Sequence, residues 1–262
     1  MANTDITFSV FTKPWKTPLP ELAAFVKGLG FDAIELPVRP GFQVTPETAA
    51  TALPAAVRVL ADFGVSIASI AATADEPTIA ACAAAGVPVI RVMVEIGDEG
   101  YLAAEAQAQR EFDALLPALE RYGVKIGVQN HCGRYISNAS GLRRLVERYD
   151  PKYIGAIWDA AHSALNGEDS ELGLDIVWSH LAMVNLKNAF WLRTNGPEAE
   201  QAEWRPYWTS GRQGLASWSR VAAELKRRSY RGVVCLPAEY DDESSLDRLI
   251  AEDIAFAKSL FI

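Results

Sequence analysis

The sequence has few cysteines and few histidines, and both shortages narrow the chemistry that it can support. Its three cysteines, Cys82, Cys132 and Cys235, are far apart and form no C-x-x-C pair. Neither a disulfide framework nor a structural zinc site is therefore indicated. Only three histidines occur among 262 residues, which leaves few imidazole groups for acid-base chemistry near neutral pH.

Clustered basic residues and long apolar runs are also missing. The formal net charge is -8 and the isoelectric point is near 5.0. Because phosphate binding needs grouped lysine and arginine, we expect no nucleic-acid partner. No apolar stretch reaches the length that spans a bilayer, and the first residues lack the basic and apolar regions of a signal peptide. We expect a cytoplasmic protein with no membrane partner.

A repeated pattern organises the chain: an amphipathic stretch ends in glycine, and a short apolar run follows at once. The pattern recurs at Gly30, Gly64, Gly86, Gly123 and Gly232. Glycine supplies the left-handed cap that ends a helix, and an apolar run is typical of a strand covered on both faces. The sequence thus predicts alternating helices and strands rather than a β-meander.

Eight strands are predicted in this way. They are Phe8–Phe11, Ala33–Leu36, Ser66–Ile70, Val89–Val94, Lys125–Val128, Ile154–Ile157, Ala182–Leu186 and Val233–Leu236. About eight strand and helix units in roughly 250 residues match a (β/α)8 barrel. An open doubly wound sheet is the competitor, but no G-x-G-x-x-G turn follows the first strand. We predict an α/β fold with a single TIM-barrel domain over residues 1–262 and a long irregular loop over 188–216 after strand seven.

Polar side chains follow the predicted strands where each one ends. They are Glu35, Glu95, Gln129, His131, Asp159, His162, Asn185, Lys187 and Glu239. In a TIM barrel these ends meet at one mouth, where active sites lie, so we expect the groups to converge. For each residue alone a structural role is simpler. Glu35 and Glu95 could be ion-pair partners of Arg39 or Arg91. Asp159 could simply cap a helix, and Lys187 could simply neutralise nearby carboxylates.

The loop over 188–216 adds aromatic and basic side chains. Trp208 is a candidate surface for a sugar ring to stack on, although it could equally pack the loop down. Arg193, Arg205 or Arg212 could contact a phosphorylated substrate, although arginines in a mobile loop are often only solvated. His180, on the polar side of its helix, is expected to be a solvated surface residue.

The strand-end motifs together resemble those of the xylose isomerase-like TIM barrels. This superfamily of sugar isomerases and epimerases also includes hydroxypyruvate isomerases, inosose dehydratases and the AP endonuclease IV group. The resemblance covers essentially the whole chain. It rests on G-F-D-A-I-E-L in strand two, V-Q-N-H-C-G in strand five, W-D-A-A-H in strand six, V-N-L-K-N in strand seven and the glutamate that closes strand eight.

In the ketose epimerase branch, four side chains at strand ends hold a divalent cation. The matching positions here are Gln129, Asp159, Asn185 and Glu239. A glutamate and a histidine of the family are thus replaced by amides. Amide oxygens do bind Mn2+ or Mg2+, but with one negative charge removed we expect a lower affinity than in the family. The alternative is a metal-free site in which Lys187 takes the electrostatic place of the cation.

The resemblance implies an isomerase or epimerase of a small keto-sugar or sugar phosphate. Glu239 or Glu95 would remove the proton next to a carbonyl, and the cation or Lys187 would stabilise the enediolate. His162 would assist with protons and hydroxyl groups. The other substrate contacts expected are His131, Glu35, Arg193 and Trp208.

The same residues are compatible with two functions other than isomerisation. One is a metal-free lyase or dehydratase that passes through the same enediolate, and the other is a barrel that binds a sugar without turnover. The surviving group of Asp159, His162, Lys187 and Glu239 favours an enzyme. A nuclease is disfavoured because those relatives use a histidine-rich, multi-metal site. Homo-oligomer formation is left open.

Overall fold

The computed structural model describes residues 6–262, in which strands and helices alternate. The strands in this range are β1 (Ile6–Phe11), β2 (Ala33–Pro37), β3 (Ser66–Ala71), β4 (Val89–Val92), β5 (Lys125–Gln129), β6 (Ile154–Asp159), β7 (Leu181–Asn185), β8 (Asn188–Arg193), β9 (Trp204–Thr209) and β10 (Gly232–Leu236). The α-helices in the same range are α1 (Leu19–Leu29), α2 (Ala49–Ala61), α3 (Glu76–Ala85), α4 (Tyr101–Tyr122), α5 (Ala139–Val146), α6 (Ala160–Leu165), α7 (Ser170–Val177), α8 (Trp218–Arg227) and α9 (Leu246–Ser259).

Eight of the strands form a closed parallel barrel in the order β1, β10, β7, β6, β5, β4, β3, β2. This confirms the predicted α/β TIM barrel, while residues 1–5 of the predicted domain lie outside the described residues. The C-terminal ends of the strands agree with the predicted ones to within two residues. The largest differences are at β4, which stops at Val92 rather than Val94, and at β6, which continues to Asp159 rather than ending at Ile157.

Glycine ends helices where the sequence predicted. Gly30 follows α1 with a φ of 92°, and Gly123 follows α4 with a φ of 68°. These left-handed conformations are strained for residues with a Cβ atom, so glycine allows the chain to leave the helix sharply. In both cases the next strand begins within three residues.

The barrel interior is filled by an apolar cluster of its own, distinct from the larger core between sheet and helices. The buried members of this interior cluster are Phe11, Ala71, Ile157, Met183 and Cys235. Gly127 on β5 leaves room for Ile157, because a Cβ atom at Gly127 would lie 2.6 Å from Ile157 Cδ1. The polar side chains at the strand ends therefore lie over a packed floor rather than a channel.

The segment 188–216 is not irregular throughout, so that part of the prediction is wrong. It contains the antiparallel hairpin of β8 and β9. The base of the hairpin is fixed by Asn188, whose side-chain amide donates to the carbonyls of Gly211 and Ala216 at 2.8 and 2.9 Å. The hairpin holds Trp208 beside the barrel mouth.

The expectation that His180 is solvated is also wrong. Its imidazole is buried, and its Nε2 lies 3.1 Å from the carbonyl oxygen of Tyr149. A 3-10 turn over Trp178–His180 follows α7 directly. This turn departs from the α-helical periodicity that had placed the ring on the polar side.

We expect Gly127→Ala to lower the free energy of unfolding by about 1–3 kcal/mol, because its methyl group overlaps Ile157 in a close-packed interior. Ile157→Val removes the overlapping Cδ1 atom, so the double variant should lose less than the sum of the single losses. Urea unfolding followed by circular dichroism measures each value.

The control for this test is Gly28→Ala on the exposed face of α1, where no atom lies within 4 Å of the added carbon. It should be neutral or stabilising, because alanine is the better helix former. Strictly additive losses at Gly127 and Ile157 would show that the two do not compete for space.

Candidate active site

Side chains from successive strand ends surround a cavity of about 80 Å3 at the barrel mouth, here called the inner cavity. Its lining includes Glu35, Arg91, Gln129, His131, His162, Asn185 and Glu239. It shares Lys13, His131 and Glu239 with a wider opening of about 1090 Å3, the outer cleft, which Lys187 and Trp208 also line. Most of the site residues predicted from the sequence thus meet in one place.

Asp159, the last residue of β6, is fully buried and accepts four N–H groups. Its Oδ1 accepts from the backbone N–H groups of Ala161 and His162 at 3.0 and 3.2 Å, so the carboxylate does cap α6. Its Oδ2 accepts from Gln129 Nε2 at 3.0 Å and from Asn185 Nδ2 at 3.4 Å. Burial nevertheless raises the pKa of Asp159 to about 6, because desolvation disfavours the charged form.

Gln129, the last residue of β5, links Asp159 to an arginine. Its Oε1 accepts from Arg91 Nη1 at 2.6 Å, while its Nε2 faces Asp159. Rotating the amide would set its NH2 against the guanidinium and its oxygen against the carboxylate, so one orientation is strongly preferred. Arg91 Nε also donates to Glu35 Oε1 at 2.7 Å. The counter-ion of Glu35 is therefore Arg91 rather than Arg39.

The backbone of Cys132 gives two histidines opposite tautomers. Its N–H donates to His162 Nδ1 at 3.1 Å, so a neutral His162 carries its proton on Nε2. Its carbonyl oxygen lies 2.8 Å from His131 Nδ1, and because a carbonyl only accepts, a neutral His131 has a bare Nε2. The two ring centres are 4.1 Å apart. One imidazole donor and one imidazole acceptor therefore lie side by side.

Burial keeps both rings neutral near pH 7. It lowers the pKa of His131, and it lowers the pKa of His162 well below the ordinary value, with the Lys187 ammonium adding to the effect on His162. His162 Nε2 and Asn185 Oδ1 are buried without a hydrogen-bond partner among residues 6–262. Because buried polar atoms are normally paired, these two are the atoms that a bound polar ligand would satisfy.

Lys187 and Glu239 form an ion pair where the inner cavity meets the outer cleft. Lys187 Nζ donates to Glu239 Oε2 at 2.5 Å, and Lys13 Nζ donates to Glu239 Oε1 at 2.6 Å. Lys187 Nζ also lies 3.7 Å from the centre of the Trp208 ring. Burial alone would raise the pKa of Glu239, but the two ammonium groups outweigh it and hold the pKa well below its usual range. Glu239 is therefore ionised and a weak base.

Two residues predicted for the site lie apart from this cluster. Glu95 is exposed and lines a separate cleft of about 570 Å3, here called the side cleft. Arg193 is at the end of β8, where its Nη2 donates to the carbonyl of Gly196 at 2.9 Å. The geometry thus gives the mouth neither Glu95 as a second proton acceptor nor Arg193 as a ligand contact.

Three parts of the site were not predicted from the sequence. Arg91 was considered only as an ion-pair partner, yet an arginine within the apolar strand V-I-R-V was a visible signal of a polar function. Lys13 and the backbone of Cys132 gave no signal, because their roles arise from contacts between distant segments.

Residues 23–260 match the family described as xylose isomerase-like TIM barrel. The chain belongs to this family. An inosose dehydratase from Bacillus velezensis is 24% identical over 146 residues, which cover 51% of this chain and 49% of that protein. The match to this curated relative therefore spans about half of each length.

Two solved structures show the same fold. A D-psicose 3-epimerase with D-tagatose from Clostridium cellulolyticum H10 has a TM-score of 0.73 at 13% identity, covering 97% of this chain and 99% of that one. A 3-keto-D-glucoside 4-epimerase from E. coli in its apo form gives the same values. Within the described residues, no helix has the length and apolar character needed to cross a membrane.

Four positions match the metal ligands of the epimerase branch, namely Gln129, Asp159, Asn185 and Glu239. In their present hydrogen-bonding pattern these side chains do not fit a hard cation. The Gln129 oxygen is taken by Arg91, and the NH2 groups of Gln129 and Asn185 both point at Asp159 Oδ2. Both oxygens of Glu239 bind lysine ammonium groups. Among the side-chain oxygens that the described residues place at these four positions, only Asn185 Oδ1 is unpaired, and a hard cation needs several oxygen ligands.

His131, Cys132 and His162 form a second candidate metal group, with ligand atoms within 4.8 Å of one another. Metal binding by His162 would need a bare Nε2, but the N–H of Cys132 leaves the proton on that atom. Burial also raises the pKa of the Cys132 thiol, which disfavours the thiolate that a metal requires. This group does not fit a metal either.

Restoring the family's ligand types should create a cation site. We expect Gln129→Glu with Asn185→His to bind Mn2+ at least about tenfold more tightly than the parent chain, because it replaces N–H donors by metal ligands. Isothermal titration calorimetry measures the affinities. The control makes the same residue changes at two amides outside the inner cavity, Gln107→Glu with Asn195→His, and should leave the Mn2+ affinity unchanged. Equal Mn2+ affinity in the parent and in the site variant would contradict the conclusion that the hydrogen-bonded amides disfavour a cation.

The histidine tautomers can be observed directly. We expect 15N correlation spectra of the imidazoles at pH 7.5 to show a proton on Nε2 in His162 and on Nδ1 in His131, because the backbone of Cys132 contacts the opposite nitrogens. His131→Gln and His162→Gln assign the signals. The same tautomer in both rings would contradict the assignment.

Proposed function

We propose that the protein is an enzyme that enolises a small keto-sugar or sugar derivative and then reprotonates it, as an isomerase or epimerase does. The main support is the bare His131 Nε2 beside the proton-bearing His162 Nε2, with the Lys187 ammonium nearby. Removing a proton next to a carbonyl needs an acceptor for that proton and donors for the oxygen that becomes negative. The side chains of the site provide both.

In this proposal the substrate carbonyl oxygen accepts from His162 Nε2, which is otherwise unpaired. A substrate hydroxyl group donates to Asn185 Oδ1, which likewise has no hydrogen-bond partner among residues 6–262. Lys187 adds positive charge beside the enediolate. Donors fixed in a buried site stabilise a developing oxyanion strongly, because they need no reorganisation during the reaction.

His131, rather than Glu239 as expected from the sequence, is proposed as the proton acceptor. Its Nε2 is bare and it lines both the inner cavity and the outer cleft. Glu239 is held between Lys13 and Lys187, and its lowered pKa makes it a poor base. Its proposed role is to position the Lys187 ammonium.

One proton acceptor favours particular outcomes. Inversion at one carbon by two bases needs a proton acceptor on each face of that carbon. Glu95, the second acceptor expected from the sequence, lines the side cleft instead. A single His131 can return the proton to the adjacent carbon on the same face. Within the isomerase and epimerase class we therefore propose proton transfer between neighbouring carbons.

A dehydratase is the second candidate, supported by the half-length match to an inosose dehydratase. The first step is the same. The protonated His131 would then donate its proton to a departing hydroxyl group, so that water leaves and a C=C bond forms. Trp208, which lines the outer cleft, offers a ring face to either kind of substrate.

Deuterium exchange tests the proposed chemistry for both candidates. With a panel of keto-sugars and inososes in D2O, NMR should show loss of one C–H signal next to the carbonyl of the accepted compound. We expect His131→Gln to slow this exchange by about 10²- to 10⁴-fold, the usual range for a lost general base. Lys187→Met should slow it by about 10²- to 10³-fold.

The pH profile is a second test of His131, and it is combined with the rate loss in His131→Gln because Asp159, with a pKa of about 6, titrates in the same range. Burial lowers the pKa of His131 from 6.5, so exchange should rise with pH through a midpoint below 6.5 and then stay level as the ring becomes neutral. His180→Gln, at the histidine outside the site, is the control and should keep rate and profile. Undiminished exchange in His131→Gln would refute the proposed base, and binding without exchange across the panel would favour the non-catalytic barrel.

A further inference from the structure

Arg39, in the loop after β2, is a cation that the Glu35 and Glu239 carboxylates attract without contacting it. Its side chain is half-buried and forms no hydrogen bond or ion pair with any of residues 6–262. It lines both the inner cavity and the side cleft. Its guanidinium carbon lies 6.0 Å from the centre of the Phe11 ring, and that of Arg91 lies 4.6 Å from the same centre. The two arginines therefore share one aromatic neighbour, but only Arg91 has a carboxylate.

The backbone at Arg39 is fixed. Its N–H donates to the carbonyl of Val44 at 3.1 Å, and its own carbonyl accepts from the N–H of Phe42 at 3.2 Å. Val38, one residue earlier, donates to the carbonyl of Ala71 in β3 at 3.0 Å. The side chain thus starts from a position tied to the barrel, unlike the arginines of the hairpin.

Positive charge is in excess around the inner cavity although the whole chain has a net charge of -8. The cationic side chains in or beside its wall are Lys13, Arg39, Arg91 and Lys187, and the carboxylates are Glu35, Asp159 and Glu239. Arg91 is matched by Glu35, and the two lysines share Glu239. Arg39 is therefore the one of these four cations that has no carboxylate in direct contact among the described residues.

The surroundings of Arg39 are costly for its charge. Burial lowers its pKa and the nearby Arg91 guanidinium lowers it further, and together they outweigh the opposite effect of the Glu35 and Glu239 carboxylates. A half-buried charge in this setting gains more from an anion than a solvated one does, because water screens it less.

We propose that Arg39 binds an anionic group at the far end of the substrate, so that the enzyme acts on an acidic keto-sugar rather than a neutral one. This inference rests on the proposed function, because it assumes that the carbonyl end of the same molecule lies at His162. The planar guanidinium pairs with a carboxylate through two parallel N–H donors. A single unpaired arginine matches the single charge of a carboxylate better than a phosphate dianion.

Three ligands that differ only at C6 test this proposal: D-fructose, D-fructuronate and D-fructose 6-phosphate. Isothermal titration calorimetry at low salt measures their binding to the parent chain and to Arg39→Gln. We expect the parent to bind fructuronate about tenfold or more tightly than fructose, as a charge-assisted pair predicts. Arg39→Gln should remove this preference and leave fructose binding unchanged. Arg58→Gln, an exposed arginine on α2, is the control and should keep it.

Each outcome either supports or overturns the binding of an anionic group by Arg39. A preference for fructose 6-phosphate that is lost in Arg39→Gln would support the anion site and assign phosphate as the group. Equal binding of all three ligands, no binding of any, or a preference that survives in Arg39→Gln would overturn the inference. Binding that depends on Arg39 without deuterium exchange would refute the proposed function alone, because calorimetry requires no turnover.

Discussion

The site depends on the burial of Asp159, whose carboxylate is held by uncharged N–H donors. A carboxylate removed from water loses hydration worth several kcal/mol, which its neighbours must replace. Here four N–H groups do so, two from the first turn of α6 and two from the amides of Gln129 and Asn185. Each hydrogen bond to a charged group contributes about 1.5–3 kcal/mol. The orientation of both amides follows from this requirement.

The orientation of the Gln129 amide determines which side chains lie beyond it. Because the NH2 of Gln129 must face Asp159, its oxygen faces the other way and needs a donor, which Arg91 supplies. Arg91 is buried and needs a carboxylate, which Glu35 supplies. Donors and acceptors therefore alternate from β6 through β5 and β4 to β2. Arg39 follows the last of these strands and lies outside the chain of pairs.

Sequence alone predicts the scaffold well and the contacts within the site poorly. The barrel follows from glycine-capped helices and apolar strands, which are local features, and the polar residues at strand ends follow from the period of two. The hairpin was missed because tryptophan, arginine and proline in β9 obscure the alternation of a strand. The tautomers of His131 and His162 could not be predicted, since they depend on which atoms of Cys132 approach each ring.

The amides of Gln129 and Asn185 stand where the epimerase branch has a glutamate and a histidine, and their effects on the site are linked. A carboxylate at Gln129 could not donate to Asp159 and would repel it, so without a cation Asp159 would lose a donor and gain a like charge. An amide reverses both effects and leaves the cavity less negative by one charge. With Lys187 already bound to Glu239, that change shifts the balance of the inner cavity to positive. An amide at position 129 that disfavours a metal would thus also favour the anionic substrate that we propose for Arg39. The donor pattern around Asp159 and the charge of Arg39 are connected in this way.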